Sequence, residues 1–379
     1  MVSIVAANFA KFGKRDEDIF AISSESALPI VKKFHDDIDF VVVSNSYSGE
    51  FSGISGLNNL LTTHLGLNNI PSVRVDNTSG SGGSALLVAI SLVASGEARN
   101  VMVIGTEKMT GYPSKKSTSI IASLLPPEER AGGPSLPSLA AFMARSYIKE
   151  FSPSRESIAS VAVKNHHNGA LNPYAHFQAE VTLDKVMNSK IIADPLRIFE
   201  YCPVSDGAVS LMLTSDEHSE SLSSKCVKVT GSGSSSGVSS ITSRDSFTTI
   251  DSVRESAKNA FRKARKKPED IDIAELHDMA SILEIVESED VGFFKKGEGW
   301  KALETGETQI GGKLPINTSG GLNSKGHPIG ASGVAQTAEI YLQLTGQAGK
   351  RQVNNAHTGF SVSMAGFGNN STSFVYEVS

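Results

Sequence analysis

The sequence predicts an α/β fold with a mostly parallel sheet covered on both faces, and three observations lead there. Through the first hundred residues, short β-branched runs alternate with amphipathic stretches. The same alternation returns in the last third of the chain. Between the two copies lies a segment of different texture, rich in Ser, Gly, Pro and charge.

Each element has its own reason. Residues 3–7 make a short apolar strand, and 18–34 carry the spacing of an amphipathic helix. Phe40-Val41-Val42-Val43 is a continuous run of the buried-strand type. Residues 54–65 read as a helix, 73–75 as a strand, 84–95 as a strongly apolar helix and 101–104 as another buried strand. In the later copy, 253–267 is a helix with a basic end, 271–276 a strand, 332–344 an apolar helix echoing 84–95, and 373–378 an alternating strand. Asp37-Ile38-Asp39-Phe40 and Asp270-Ile271-Asp272-Ile273 mark the same point in the two copies, each opening a strand after a basic helix. In the middle segment, Leu125-Pro126-Pro127-Glu128-Glu129 breaks regular structure. Helices follow over 138–149 and 155–165, the second capped by Ser154. Residues 107–200 thus form an insertion over one end of the first copy, as lids and binding loops do. The expected domains are 1–220, including that insertion, and 221–379.

Bulk properties narrow the function. A chain of 379 residues, 39% hydrophobic and 20% charged, is long enough for two compact units. A net charge of −5 gives no electrostatic basis for binding nucleic acid or an anionic membrane. No apolar run approaches the ~20 residues that span a bilayer, and the first residues read as a strand rather than a signal peptide. Two cysteines, Cys202 and Cys226, fit a reducing compartment, so a cytoplasmic location is expected.

The most informative stretch runs from Asn317-Thr318-Ser319-Gly320-Gly321 to Gly326-His327-Pro328-Ile329-Gly330-Ala331-Ser332-Gly333. It holds one His between Gly and Pro where a loop meets a helix. Lys164-Asn165-His166-His167-Asn168, Ser205-Asp206-Gly207-Ala208 and Glu275-Leu276-His277-Asp278 accompany it. Together these segments resemble the archaeal and sterol-carrier-protein-type acetyl-CoA acetyltransferase-like branch of the thiolase superfamily, over nearly the whole chain. The resemblance implies the thiolase fold: two similar βαβαβαββ halves in five αβαβα layers, with an inserted loop domain. It implies a coenzyme A thioester as substrate, with no cofactor permanently bound. It also implies a homodimer or a dimer of dimers assembled around the nucleophile turn. A small zinc-containing acyl-CoA-binding protein is a further expected partner.

Laid on the family pattern, the nucleophile position is Ser79, in Asp76-Asn77-Thr78-Ser79-Gly80-Ser81-Gly82-Gly83. A serine hydroxyl must lose its proton during attack, whereas a cysteine is already a few per cent thiolate at neutral pH. Three readings of Ser79 stand side by side: a catalytic hydroxyl, a hydroxyl satisfying amides at a helix start, or the replacement of an original cysteine. The resemblance assigns His327 to activation of the nucleophile and His277 to polarising the thioester oxygen. The acid/base thiol of that branch would sit at Met279, and other thiolases place theirs where Met364 or Ala365 stands. That role is therefore vacant, and Cys202 and Cys226 are expected to be buried structural thiols.

By the same resemblance His166 and His167 line the pantetheine or acyl pocket. Gly330, Ser332, Gly366 and Gly368 shape the substrate site, where backbone amides can approach an oxyanion. His166, His167 and His357 have no Cys partners and no H-x-x-x-H spacing with a carboxylate, so no metal site is expected. Three functions follow as expectations. The first is a thiolase-type acyltransferase with weak or altered catalysis, the second a retro-aldolase acting on a hydroxyacyl-CoA, and the third a non-catalytic acyl-CoA-binding subunit.

Overall fold

The computed structural model describes residues 1–378; Ser379, the last residue of the second expected domain, lies outside them. In chain order the strands are β1 (Val2–Phe9), β2 (Phe40–Ser44), β3 (Ser72–Val75), β4 (Asn100–Glu107), the short pair β5 (Ile191–Ala193) and β6 (Leu196–Arg197), β7 (Gly207–Ser215), β8 (Val227–Ser236), β9 (Ile273–Glu275), β10 (Thr358–Ala365) and β11 (Asn370–Val378). Nine of these form one sheet in the order β3-β2-β4-β7-β1-β8-β11-β10-β9. Beyond β9, Ile316 adds a single parallel bridge to Ala274. The order therefore reads the same from either end, and β1 meets β8 antiparallel at the centre, Val2 opposite Val229. Two copies of one βα unit are related by a pseudo-twofold between those strands.

Alternation along the strands explains the layers. One face of the first half carries Val5, Val41, Val43, Met102 and Ile104 and packs under the helix Ile19–Phe34. The other face, with Val42, Val101, Val103 and Leu211, rests on a central pair of helices, Ser81–Ser95 and Ile329–Leu344. Phe374 and Tyr376 of the second half close on that same pair. Phe360, Val362 and Val375 turn outward to the helices Asp251–Ala264 and Ser281–Asp290. The result is αβαβα. Contrary to the expectation that no run approaches bilayer length, helix Ser81–Ser95 belongs to an apolar stretch long enough to cross one, Thr78–Ser95, the one such stretch among the described residues. Here it lies in the central layer, where it touches the sheet.

The central helices cross without side chains between them. A Cβ on Gly82 would sit 2.6 Å from the Gly333 Cα, and one on Gly333 would sit 2.7 Å from the Gly83 nitrogen. Only glycine allows that approach.

Two local expectations need correction. Residues 54–65 do not form one helix. Gly53 and Gly56 adopt φ of 66° and 65° and divide the region into Ser48–Ser52 and Leu57–His64. The prolines at 126 and 127 do not abolish structure either. Pro127 opens the helix Pro127–Ala131, where its missing N–H costs nothing. A further helix, Ser114–Ile121, lies in the same segment. The following helices are longer than expected, Leu136–Phe151 and Arg155–Ala170, the second capped by Ser154 accepting from the Ser157 amide.

Candidate active site

His277 follows β9 by two residues, at the strand end where α/β folds bind ligands. Its backbone is held from two sides. Asn317, at φ 56°, accepts the Leu276 amide at 2.7 Å, and Glu287 Oε2 accepts the His277 amide at 2.7 Å. The ring is fully buried and neither nitrogen has a hydrogen-bond partner. Gln336 lies beside it without reaching hydrogen-bond geometry. Burial drives the imidazole pKa down to about 3, with Lys325 contributing. His277 is therefore neutral at physiological pH.

His327 meets it edge-on. The two ring centroids are 5.2 Å apart with an interplanar angle of 85°. His327 is also held well below the usual histidine range by burial, then by His277 and Lys325. Its Nδ1 lies 2.7 Å from Ser332 Oγ, and Ser332 donates its one proton to the Pro328 carbonyl at 3.0 Å. The hydrogen-bond network thus assigns the proton to Nδ1 and leaves Nε2 as a base. A neutral imidazole with a free lone pair beside a second unpartnered imidazole can take and return a proton.

The elbow comes from the first half. Thr78, at φ 47°, turns the chain out of β3, with its amide held by Asp76 Oδ1 at 3.0 Å. Ser79 is 1% exposed. The hydroxyl that satisfies the turn is not its own. Ser81 Oγ accepts the Asn77 amide at 2.8 Å and donates to the Thr78 carbonyl at 2.6 Å. Among the described residues Ser79 Oγ bonds to neither imidazole. Gly80 brings this turn against the other half, since a Cβ there would lie 2.9 Å from the Ala365 Cβ. Asn77 reaches the same half through Asn370 Oδ1 at 3.0 Å. The structure therefore joins His277 and His327 directly. It sets Ser79 at the start of the helix that crosses the His327 helix at Gly82 and Gly333.

The other expected residues divide. Ser332 fixes His327. Gly366, at φ 58°, follows Ala365 at the elbow contact. Gly368 turns away, with its carbonyl bound by Ser252 Oγ at 2.9 Å. Gly330 is packed against Asn45 and Glu107 rather than open space. His166 is buried against Phe177 and Phe199 with Nδ1 on the Ala179 carbonyl, while His167 sits outside, paired with Glu180 at 2.9 Å. Their helix reaches the histidine site through its asparagines instead. Asn165 Nδ2 donates to Asp278 at 2.8 Å and Glu284 at 2.9 Å, and Asn168 Nδ2 donates to the Asn317 carbonyl at 3.0 Å. Both asparagines stand in the segment that carries the resemblance, but the sequence gives them no role, and it does not single out Glu287, because a polar residue on a buried helix face carries no distinctive spacing.

Of the two thiols, Cys226 is buried as expected, but Cys202 is only half-buried. Its segment runs between the chain that follows His277 and the His327 loop: Cys202 N donates to the Met279 carbonyl at 2.9 Å, and Val204 bridges to His327. The surroundings of the Cys202 thiol still push its pKa up, by burial and then by Asp278. Val204 also lines a surface cavity of about 480 Å³ together with Lys14, Met109, Tyr112 and Ile121.

Comparison with known proteins agrees with this architecture. Residues 2–217 match the thiolase N-terminal domain, and residues 233–378 the thiolase C-terminal domain-like family. The acetyl-CoA acetyltransferase of Methanothermobacter thermautotrophicus is 40% identical over 372 residues, 97% of each chain. Sterol carrier protein 2 of Bos taurus is 33% identical over 94% of this chain and 68% of its own. Among solved structures, an Ltp2-ChsH2(DUF35) aldolase superposes with a TM-score of 0.85 at 23% identity, covering 99% of this chain and 97% of that one. At that identity the likeness speaks for the fold alone.

Proposed function

The chain belongs to the thiolase family, and from that premise we propose that it transfers acyl groups from coenzyme A thioesters, slowly, through Ser79. The observation that carries the reading is the pair of neutral, buried imidazoles, one of them at the start of the helix that crosses the elbow helix at Gly82 and Gly333. In acylation, Ser79 Oγ forms a bond to the thioester carbonyl, its proton passes to the Nε2 of His327, and the carbon–sulfur bond breaks. The leaving coenzyme A thiolate takes the proton back. His277 offers an N–H toward the developing oxyanion, as do backbone amides near Ser79 and Gly366. The cavity whose wall includes Val204 is the approach we assign to the thioester.

Two features argue for slow chemistry. Among the described residues Ser79 has no hydrogen bond to a base, so its hydroxyl is not activated before substrate arrives. Met279, Met364 and Ala365 supply no thiol at the positions where the family resemblance requires one. Turnover is expected well below the ordinary enzymatic range of about 1–10³ s⁻¹. Mass spectrometry after incubation with acetyl-CoA tests the reading. The expected result is one acetyl adduct on the peptide carrying Ser79, absent in Ser79→Ala. Binding of acetyl-CoA with no adduct, unchanged in Ser79→Ala, would replace it with a non-catalytic binding subunit.

The missing thiols favour a second reading, retro-aldol cleavage of a β-hydroxyacyl-CoA. There His327 takes the hydroxyl proton, the Cα–Cβ bond breaks, an aldehyde or ketone departs, and the enolate is reprotonated to an acyl-CoA. The solved neighbour named an Ltp2-ChsH2(DUF35) aldolase prompts the matching partner proposal, a small zinc-containing acyl-CoA-binding protein. Release of no carbonyl product from a panel of β-hydroxyacyl thioesters would exclude this reading. We also propose a homodimer in the cytoplasm. Edge strand β3 is only partly buried, as are Leu87, Val88 and Leu92 of the neighbouring helix. A monomer in light scattering would remove the dimer.

A further inference from the structure

The pseudo-twofold makes the two central helices equivalent, and their first turns differ in one respect. At the elbow helix the opposing strand end is Ala365, closing β10 on Gly80. At the His327 helix the opposing strand end is Glu107, closing β4 on Gly330, where a Cβ would lie 2.9 Å from Glu107 Oε2. One helix start faces a methyl group and the other an internal carboxyl.

Glu107 is fully buried and takes four donors. Its Oε1 accepts from Asn45 Nδ2 at 2.8 Å and the Tyr47 amide at 3.1 Å. Its Oε2 accepts from the Ser46 amide at 2.9 Å and the Gly330 amide at 3.0 Å. Gly330 is in the first turn of the His327 helix, where a carboxylate also complements the unsatisfied N–H groups and the helix dipole. Ser44 Oγ adds a bond to the Gly330 carbonyl at 2.6 Å. Among the described residues no other side chain of the half that carries Ser79 accepts from this first turn; Ser205 Oγ of that half accepts the His327 amide just ahead of it at 3.3 Å.

We propose that Glu107 is the positioning residue of His327, its carboxylate fixing the first turn of the His327 helix, and so the imidazole, against the half of the molecule that supplies Ser79. The kinetic part of this proposal rests on the acyl-transfer reading; the positional part does not.

The clamp responds to pH. Burial raises the Glu107 pKa to about 7, opposed by the amides of Ser46, Tyr47 and Gly330 and assisted by Asp76. The other charged or titratable groups near it are the Tyr47 phenol and Arg74, which donates to Asn45 Oδ1. A proton added to either oxygen faces two N–H donors there, so the neutral clamp is looser than the anionic one.

Nuclear magnetic resonance on the full chain, with carbon-13 in its histidine rings, tests this without turnover. The His327 signal is assigned by its loss in His327→Gln. Because that imidazole stays neutral, its signal should shift in one small step centred near pH 7, and Glu107→Gln should abolish the step. A flat His327 signal in the unsubstituted protein, or an unchanged step in Glu107→Gln, overturns the proposal. If Glu107→Gln does not fold, the unsubstituted titration decides alone. In kinetics, Glu107→Gln should lower kcat by roughly tenfold or more with KM within about twofold, as a misplaced catalytic group does, and should flatten the rise of kcat through neutrality. A normal NMR step without any measurable turnover would sink acyl transfer and leave the clamp standing.

Discussion

Replacing His277 by Gln tests whether the site is dry enough to keep an imidazole neutral, and the structure sets the magnitude. In the folded chain the ring pKa is about 3, against an ordinary value of 6.5 when the chain unfolds. The folded value is the lower one, so the contribution to stability is complete above 6.5 and is lost as pH falls toward 3. At about pH 7.5 the unfolded ring is mostly neutral and the contribution to pH dependence is near zero. At about pH 5.5 the unfolded ring is protonated roughly ten to one, a loss of about 1.4 kcal/mol. Urea denaturation of the parent and of His277→Gln at those two pH values isolates this contribution, because whatever else the substitution does to packing cancels in the double difference. The variant should gain about 1.4 kcal/mol relative to the parent on acidification. A double difference within about 0.3 kcal/mol of zero would show that the ring titrates normally, and the argument for a neutral pair would fall.

The remaining predictions concern the elbow, the crossing and the buried charges. Ser79→Cys should be alkylated by iodoacetamide at neutral pH faster than Cys202 or Cys226, whose thiols burial pushes up. It should also form the acyl adduct faster than the parent; equal rates would mean the elbow does not activate a nucleophile. Gly82→Ala places a Cβ 2.6 Å from backbone of the facing helix and should destabilise the fold by about 2 kcal/mol or more in urea. Arg351→Met leaves Glu339 buried without its two-bond partner, at 2.9 and 2.8 Å, and should cost about 3–5 kcal/mol. His167→Ala should leave KM for acetyl-CoA within about twofold of the parent, as expected of an exposed surface pair; a larger rise would put His167 back in the binding site.

The strands and the central helices were legible because they are repetitive: Val41-Val42-Val43 buries both faces of one strand, and a glycine-rich turn precedes each apolar helix. The His327 loop was legible because Gly and Pro restrict it so strongly. What the sequence hid is of another kind. β8 and β10 are rich in Ser and Gly, and Gly231, Gly233, Ser361 and Ser363 do not read as a buried strand until the helices packed on them are known. The helix Ser281–Asp290 is buried along its whole length yet carries Glu284, Glu287, Glu289 and Asp290. A charge-rich segment normally reads as solvated. Its buried acids find partners only in three dimensions, such as Lys164 at 2.9 Å from Glu284 and Lys296 at 2.9 Å from Asp290.

Those buried acids explain why so open a chemistry needs so closed a scaffold. His277 has no hydrogen bond from its ring, so nothing in its own side chain sets its orientation. The orientation comes from its backbone, through Glu287 on the amide and Asn317 on the residue before it. Asn317 is in turn held by Glu284 at 2.7 Å, and Glu284 by Lys164 and Asn165 from the inserted segment. His327 is placed differently, by Ser332 on its ring and Glu107 on the helix behind it. Each imidazole thus keeps a nitrogen free for substrate while its main chain is fixed by carboxyls that never face it. An exchange reaction through Ser79 would draw on both anchors at once. The two share no residue, so loosening either one should slow acylation while leaving the other histidine where it is.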